Sequence, residues 1–420
     1  MKTPEHIHII GGGIIGLCSA WYLQQEGCRV TVIDDYDFSD GTSFGNAGMI
    51  VPSHFIPMAN PGIISKGIKW LLDPKSPFSI KPRFNLELIQ WLWYFYRSAQ
   101  TKKTQEVMSV LHDLNMCSKS LYKELSAKEG FNFDFNERGL LMLYKTKKQE
   151  QEEKHVLHQA HQLGVKAHLL DIEGLKELEP GMAFNAMGGV YFPDDAHLCP
   201  NVLIRQLIAR LKTKGVLFKS DTSIKDFKLE NSKITALFTK NNEVIPTRHV
   251  LVTAGSWTAL LLKKMGVKIH LQDGKGYSVT LDNIAQRPHI PTILTEAKVA
   301  ITPMMQQLRI SGTLEISGLS KTVNKKCVDA IMSSLSMYYK NLDMSSFDEH
   351  TKIWKGYRPC SPDGMPYIGK SNVITNLFVG TGHGMMGLSL GAITGKLLSE
   401  LITEQKTTLP LKRFGIDRPF

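Results

Sequence analysis

The hydrophobic positions of the first 35 residues change period twice. His6–Ile10 is a short β-rich run, and Gly11–Gly13 is a turn. From Ile14 to Glu26 the apolar residues fall at helical spacing and stop at Gly27, a residue suited to the position just past a helix end. Arg29–Ile33 then reads as a second buried strand. Further on, Leu86–Tyr96 (LELIQWLWYFY) is apolar nearly all round, so the helix it predicts is either buried or lies on a membrane surface. Trp91, Trp93 and Tyr94 suit an interfacial belt, but we read an inter-domain core helix. Residues 100–165 read as charged, solvated helix. Strands are predicted at Leu140–Tyr144, Gly189–Phe192, Lys219–Phe238, Val244–Thr253, Lys275–Thr280 and Ala300–Ile310, and a helix at Pro200–Lys214. Pro-containing breaks at Asn60–Gly62, Asp73-Pro74, Ser76-Pro77 and Lys81-Pro82 interrupt the segment between. LFVGTGHG at 377–384 reads as strand and Gly-rich turn, with a closing helix over Leu388–Leu401.

Length and composition narrow the class. A chain of 420 residues with 42% hydrophobic and 21% charged residues buries a large core and is neither disordered nor a disulfide miniprotein. Mean hydropathy is −0.13, and no apolar run spans a bilayer. The apolar amino terminus is interrupted by Gly11–Gly13 and preceded by Glu5, His6 and His8, which argues against a signal peptide. Six cysteines are scattered without metal-ligand spacing, so we expect reduced thiols and no metal. His155, His158 and His161 fall at helical spacing, but on a segment polar all round, which reads as a solvated face. The net charge of +11 allows an acidic ligand, an anionic membrane or nucleic acid. No basic block with interleaved aromatics favours the last of these.

The first turn carries specific chemistry. Gly11-x-Gly13-x-x-Gly16 sits between a strand and a helix. Gly11 allows the tight turn, Gly13 lets the backbone approach a pyrophosphate, and Gly16 lets helix and strand pack closely. The helix N-terminus offers unpaired N–H groups to phosphate. Asp34 ends the second strand, placed to accept hydrogen bonds from both ribose hydroxyls. The pattern does not choose between NAD and FAD. TSFGNAG at 42–48 reads, on its residues alone, as an ordinary turn. Ala254-Gly255 ends a buried strand that can bring backbone amides to a cofactor or simply join a helix. Tyr277 packs in a core or points its hydroxyl at a pocket. Arg358 is a bidentate clamp for a carboxylate or the partner of Asp363. His383 is a site residue or a satisfied loop histidine.

Taken together, HIIGGGIIGLCSAWYL with Asp34, SFGNAGMIVP, Pro61-Gly62, GIKW at 67–70, KGYSVT, GYRPCSPDGMPYIG and GTGHGMMGLSLG resemble the D-amino-acid oxidase-like flavoproteins over nearly the whole chain. That superfamily holds glycine oxidases, sarcosine oxidases and, most similar here, the bacterial D-amino-acid dehydrogenases. The resemblance implies an α/β chain with a Rossmann-like FAD-binding domain of the glutathione-reductase type and an inserted, mixed-sheet substrate domain. The expected division is 1–75, 190–262 and 350–420 for the FAD domain, with 76–189 and 263–349 for the substrate domain.

It further implies FAD along Gly11, Gly13, Ile14, Ile15, Gly16 and Asp34. Ser43, Asn46, Ala47, Gly48 and Met49 would border the isoalloxazine. Ile224, Ala254 and Gly255 would add contacts, as would Gly382, His383, Gly384, Met385, Met386 and Gly387 at a helix terminus facing the ring. Arg358 matches the arginine that anchors the substrate carboxylate, and Tyr277 lies near a pocket tyrosine. Two departures matter. Gly356 stands where covalent-flavin members carry cysteine, and Cys360 is offset, so non-covalent FAD is expected. Ser53-His54 replaces a Gly-Tyr pair, so His54 enters as a candidate catalytic residue at the substrate face and makes D-proline or hydroxy-D-proline a candidate substrate.

The implied reaction is oxidative deamination of a D-amino acid or cyclic imino acid, with electrons passed to a quinone or respiratory acceptor. The implied place is cytoplasmic, or peripheral on the inner face of the membrane, with no nucleic-acid partner. The rivals are an oxygen-using glycine or sarcosine oxidase and, in a different class, a flavin-dependent RNA-modifying protein. The latter predicts a basic stripe around the pocket.

Overall fold

The computed structural model describes residues 6–63, 78–80, 85–342, 344, 347–348 and 351–420. GIKW and the Asp73-Pro74, Ser76-Pro77 and Lys81-Pro82 breaks lie outside the described residues. A six-stranded sheet runs, edge to edge, Tyr367–Lys370, Leu377–Thr381, His249–Val252, His6–Ile10, Arg29–Ile33 and Leu217–Lys219. The five strands from Leu377–Thr381 onward are parallel. The edge strand Tyr367–Lys370 is antiparallel to its neighbour. The strand that leads into the glycine turn is therefore central, and Ile10 pairs with Val252 on one side and Ile33 on the other. The first helix forms over Ile14–Gln25 and the second strand over Arg29–Ile33, as the periodicity predicts.

One face of this sheet is covered by helices Ile14–Gln25, Thr101–Ser126, Pro200–Thr213 and Gly391–Ile402, which share the largest apolar core. Each fully buried leucine there, such as Leu17, Leu114 and Leu397, contributes roughly 1.5–3 kcal/mol. Helix Gly391–Ile402 crosses Ile14–Gln25 so closely that a Cβ on Gly395 would lie 2.5 Å from the Cys18 carbonyl carbon. The Tyr122 hydroxyl donates to the Leu388 carbonyl at 2.7 Å and ties Thr101–Ser126 to the loop ahead of the last helix. Helix Thr101–Ser126 thus packs on the six-stranded sheet's core, although residues 76–189 were expected to belong with the other sheet.

The second large sheet has nine strands. Its path is Ile353–Cys360, Gln272–Asp282, Gln307–Ile316, Val299–Met304, Thr292–Leu294, Leu140–Tyr144, Gly188–Phe192 and His168–Leu170, and Phe78–Ile80 joins Gln307–Ile316 in parallel. Most pairs are antiparallel, but Leu140–Tyr144 runs parallel to Thr292–Leu294, so the sheet is mixed. Strand Ile353–Cys360 belongs here, although 350–420 was expected to lie wholly with the dinucleotide half. Helix Lys325–Tyr338 covers one face over a separate core.

The aromatic helix forms over Leu86–Ser98, capped by the Asn85 side chain accepting from the Glu87 N–H at 2.8 Å. It is not the core helix expected. Leu88 and Trp91 are buried, and the Trp91 indole N–H donates to the Cys360 carbonyl at 2.9 Å. The opposite face leaves Leu86, Ile89, Trp93 and Tyr96 more than half exposed. Nine apolar residues among the eleven of Leu86–Tyr96 mask a helix that has only one buried stripe. Among the described residues no helix is long and apolar enough to cross a membrane. All six cysteines are free thiols, and no metal-binding cluster occurs among the described residues. The His155–His161 repeat lies on a solvated helix, where His158 meets the Gln162 amide.

Candidate active site

A cavity of about 1170 Å³ opens at the C-terminal end of the central strand and extends onto the nine-stranded sheet. Its first part is the glycine turn. Gly11 has φ +110°, and a Cβ there would lie 2.5 Å from the Thr253 carbonyl oxygen. The Gly12 N–H donates to Asp34 Oδ2 at 2.6 Å, and the Tyr36 N–H to Oδ1 at 3.1 Å. Burial raises the Asp34 pKa, and those two N–H groups act against the rise. The carboxylate lines the cavity where a ribose would sit. Gly13, Ile14 and Ile15 line it too. Gly16 does not. A Cβ on it would lie 2.0 Å from the Gly11 carbonyl oxygen, so its task is close packing. Ile224, Ala254 and Gly255 complete this end.

The second part is the loop 43–49. Ser43 was expected along the ring system. Its hydroxyl accepts from the Ile14 N–H at 3.0 Å, beside the glycine turn. Asn46 Oδ1 accepts from the Gly48 N–H at 2.9 Å, forming a local turn. Asn46, Ala47 and Met49 line the cavity. Gly48 faces away, where a Cβ would meet the Leu198 carbonyl oxygen and the Met304 methyl group at 2.4 Å. Sequence reading missed what holds this loop. Buried Arg309 donates to the Phe44 carbonyl at 2.9 Å and the Asn46 carbonyl at 3.0 Å. It hides as one of several polar positions that alternate with apolar ones along strand Gln307–Ile316.

Opposite lies the loop 383–389. The expected helix does not start at Leu388. A single 3₁₀ turn, Gly384–Met386, follows the strand, and the α-helix begins at Gly391. His383, Gly384, Met385, Met386 and Gly387 line the cavity, whereas Gly382 does not. His383 is buried, with Nε2 2.9 Å from Thr394 Oγ1, and burial lowers its pKa to about 3. It is the satisfied, neutral histidine. Ser389 Oγ donates to Asn115 and accepts from the Val51 N–H, binding this loop to the one opposite.

The third part is the sheet face. Along Ile353–Cys360 the side chains at 354, 356 and 358 share one face. Gly356 pairs with Gly276 on the neighbouring strand, and this glycine gap lets two large side chains lie across the sheet. A Cβ on Gly356 would meet the Trp354 ring at 2.0 Å, and one on Gly276 would meet the Arg358 guanidinium at 2.3 Å. Trp354 was not singled out from sequence. Arg358 donates to the Thr313 carbonyl at 2.6 Å and has no carboxylate partner among the described residues. Asp363, its expected alternative partner, forms a bidentate pair with Arg418 at 2.7 and 2.9 Å. Burial holds the Arg358 pKa below its ordinary value, and the half-buried guanidinium lines the cavity.

Tyr277, one residue from Gly276, borders the cavity, but its hydroxyl is held on the side of the neighbouring core. It is 1% exposed, its hydroxyl donates to Glu315 at 3.2 Å, and the hydroxyl oxygen accepts from the Asn324 N–H at 3.1 Å. Strand alternation takes that side chain into the core under helix Lys325–Tyr338, so its hydroxyl is already committed.

The far wall combines Met49, Val51, Met142, Ile293 and Ala300 with His54. Burial first, and Lys298 second, lower the His54 pKa to about 4, leaving a neutral imidazole at pH 7. The cavity mouth carries Asp35, Asp37 and Asp40 beside Lys240, Lys321, Lys352 and Lys355, mixed charge rather than a basic stripe.

These walls fit a flavin dinucleotide. A glycine cradle that a Cβ would fill, a ribose-facing carboxylate and a volume above the 300–1,000 Å³ usual for small ligands leave room for a cofactor and a substrate together. Residues 6–401 match the family model "DAO: FAD dependent oxidoreductase". A D-amino acid dehydrogenase of Vibrio vulnificus is 30% identical over 96% of this chain and 97% of its own length. One from Vibrio cholerae is 31% identical over 97% of both. Among solved structures, glycine oxidase from Geobacillus kaustophilus superposes with a TM-score of 0.79 at 20% identity, over 99% of this chain and 100% of its own. L-proline dehydrogenase from P. horikoshii gives 0.71 at 21% identity, over 99% and 98%. The chain belongs to the DAO family of FAD-dependent oxidoreductases.

Proposed function

We propose that this enzyme oxidises D-amino acids, cyclic imino acids included, at the carbon bearing nitrogen. The observation that carries the reading is Arg358, a half-buried guanidinium without a carboxylate partner among the described residues, on the cavity face continuous with the glycine turn. The guanidinium binds the substrate carboxylate through its remaining N–H groups and fixes the α-carbon relative to the loop 43–49. The apolar wall of Met142, Ile293 and Ala300 takes an aliphatic or ring side chain and excludes water. Bound FAD supplies a hydride acceptor at N5. The imino product then hydrolyses in water to a 2-oxo acid unless it is cyclic.

The flavin is held without a covalent bond. Gly356 offers no thiol, and buried Cys360 keeps its thiol on the Arg358 carbonyl at 3.4 Å, with burial pushing its pKa up to about 12. Acid precipitation of the purified holoenzyme is expected to leave all yellow colour in the supernatant. Colour retained in the pellet would contradict this.

The acceptor we propose is a quinone reached from an anionic membrane surface rather than oxygen. The exposed face of Leu86, Ile89, Trp93 and Tyr96 is flanked by Lys263 and Lys268, which reach Glu87 and Gln90 at 2.9 Å, and by Arg97 at the helix end. An apolar stripe bordered by cations suits anionic lipid. Flotation with vesicles containing phosphatidylglycerol is expected to carry the protein upward, and Ile89→Ser with Trp93→Ser to abolish this. Concentration-dependent dimerisation without flotation would assign the face to a second copy instead. Peroxide formed in step with substrate would favour the oxidase reading.

A further inference from the structure

Behind His54 lies a polar chain that the reaction above does not use. His54 Nδ1 is 3.2 Å from Ser53 Oγ, and Ser53 Oγ donates to Asp195 Oδ2 at 2.5 Å. The Ser53 N–H donates to the other oxygen, Oδ1, at 3.0 Å. Asp195 is 1% exposed and lies 142 residues along the chain from Ser53. With both Asp195 oxygens accepting from Ser53, the serine proton points at the carboxylate and Oγ is free to accept from Nδ1–H. That fixes the imidazole tautomer with its lone pair at Nε2, on a residue that lines the cavity. No hydrogen bond to Nε2 occurs among the described residues.

We propose that Asp195, Ser53 and His54 form a relay that removes the proton from the bound substrate's ammonium group, His54 accepting it at Nε2. The proposal rests on the amino-acid reading above. The ammonium N–H bond breaks and its electron pair stays on nitrogen, as hydride loss from the adjacent carbon requires. The proton forms Nε2–H, Nδ1–H passes to Ser53 Oγ, and the serine proton passes to Asp195 Oδ2. An ammonium and a carboxylate become an amine and a carboxylic acid, with no change in oxidation state.

The surroundings suit that end state. Burial raises the Asp195 pKa to about 7, with Asp194 adding to the rise. The two Ser53 hydrogen bonds and Lys119, from helix Thr101–Ser126, act against it. Lys298, in the turn after Thr292–Leu294, faces His54 and disfavours a lasting imidazolium there. Tyr191 faces Asp195 as well, and burial raises its pKa; His112, near this turn, is held by the Pro52 carbonyl at 3.2 Å. Asp194 itself is turned toward Lys166 at 3.8 Å. A proton taken up at His54 therefore rests more easily on Asp195.

The test uses holoenzyme and 2-aminoisobutyrate, which has no Cα hydrogen and cannot be oxidised. Its binding is followed by the change in flavin absorbance. In the wild type, Kd is expected to weaken by up to about tenfold per pH unit below pH 7, because a protonated, neutral relay no longer offers the ammonium a negative charge or a proton acceptor. In Ser53→Ala the inflection is expected to move down towards the His54 value near 4. The rate of anaerobic flavin reduction by D-alanine at pH 7 is expected to fall roughly 10²-fold in that variant. The deficit should close at pH values where the ammonium dissociates unaided, and Ser53→Thr, which keeps the hydroxyl, should restore the profile. A Ser53→Ala profile parallel to wild type, with the same loss at every pH, would mean that Ser53 only shapes the turn and would overturn the relay. Wild-type flavin that neither binds 2-aminoisobutyrate nor bleaches with D-alanine would overturn the amino-acid reading itself, a different result. Asp195→Asn repeats the comparison from the other end, and Ser53→Ala suffices should that variant not fold.

Discussion

Replacing Arg358 with methionine is expected to raise the half-saturating concentration of a D-amino acid by about two orders of magnitude while fold and flavin are kept. Removing one partner of a desolvated, hydrogen-bonded charge pair costs about 2–5 kcal/mol, and roughly 3 kcal/mol corresponds to a hundredfold. The guanidinium's only described protein acceptor is the Thr313 carbonyl, so its remaining donors are available to a carboxylate. A half-buried cation without an anion also weighs against folding, so the methionine variant's thermal midpoint should not fall. Gly276→Ala tests the same anchor by another route. Its Cβ would lie 2.3 Å from the guanidinium nitrogens, and the end of the arginine side chain must swing away. The half-saturating concentration should rise there too, with the arginine still present. Unchanged affinity in both variants, read from flavin-reduction titrations, would remove Arg358 from the site.

Gly16→Ala is expected to yield protein without flavin. Its Cβ would lie 2.0 Å from the Gly11 carbonyl oxygen and 2.8 Å from Thr253 Oγ1. Backbone cannot yield as a flexible side chain can, and overpacking of this kind costs about 1–3 kcal/mol or more. The strain falls on the glycine turn that lines the cavity, because the Thr253 hydroxyl donates to that same Gly11 carbonyl at 2.9 Å. Gly181→Ala, where the nearest neighbour is the Gln286 amide at 3.6 Å, should keep its flavin. The ratio of flavin to protein absorbance checks both. Full flavin in Gly16→Ala would show that the turn tolerates displacement.

What the sequence made readable is what neighbouring residues decide. The first strand, glycine turn, helix and second strand could be read because period, glycine spacing and the terminal acid sit within 34 residues, and each constrains the next. Asp34 followed from the same register. Arg358 could be seen as a clamp, but its lack of an anion could not, because Asp363 is five residues away and Arg418, which claims it, is 55. The partners of the Tyr277 hydroxyl were hidden for a similar reason. Alternation says that 276 and 277 face opposite ways but not which face is the cavity, and the two glycines at 276 and 356 settle that only once the strands are paired. The Ser53–Asp195 pair joins positions 142 apart, and Arg309 reaches the loop 44–46 from 263 residues or more away. Helix Leu86–Ser98 misled through composition, since nearly unbroken apolarity carries no sign of which side is covered.

Anaerobic titration of the purified holoenzyme with paired enantiomers tests the central claim most directly. The oxidised flavin band would be followed during addition of D-alanine, D-proline and cis-4-hydroxy-D-proline, each against its L-form, with glycine and sarcosine alongside. The account predicts bleaching by at least one D-form and none by its L-partner, with fast bleaching by the cyclic acids alone if His54 and the apolar wall select a ring. A flavin that stays oxidised with every D-form, or that bleaches only with L-forms, would contradict it.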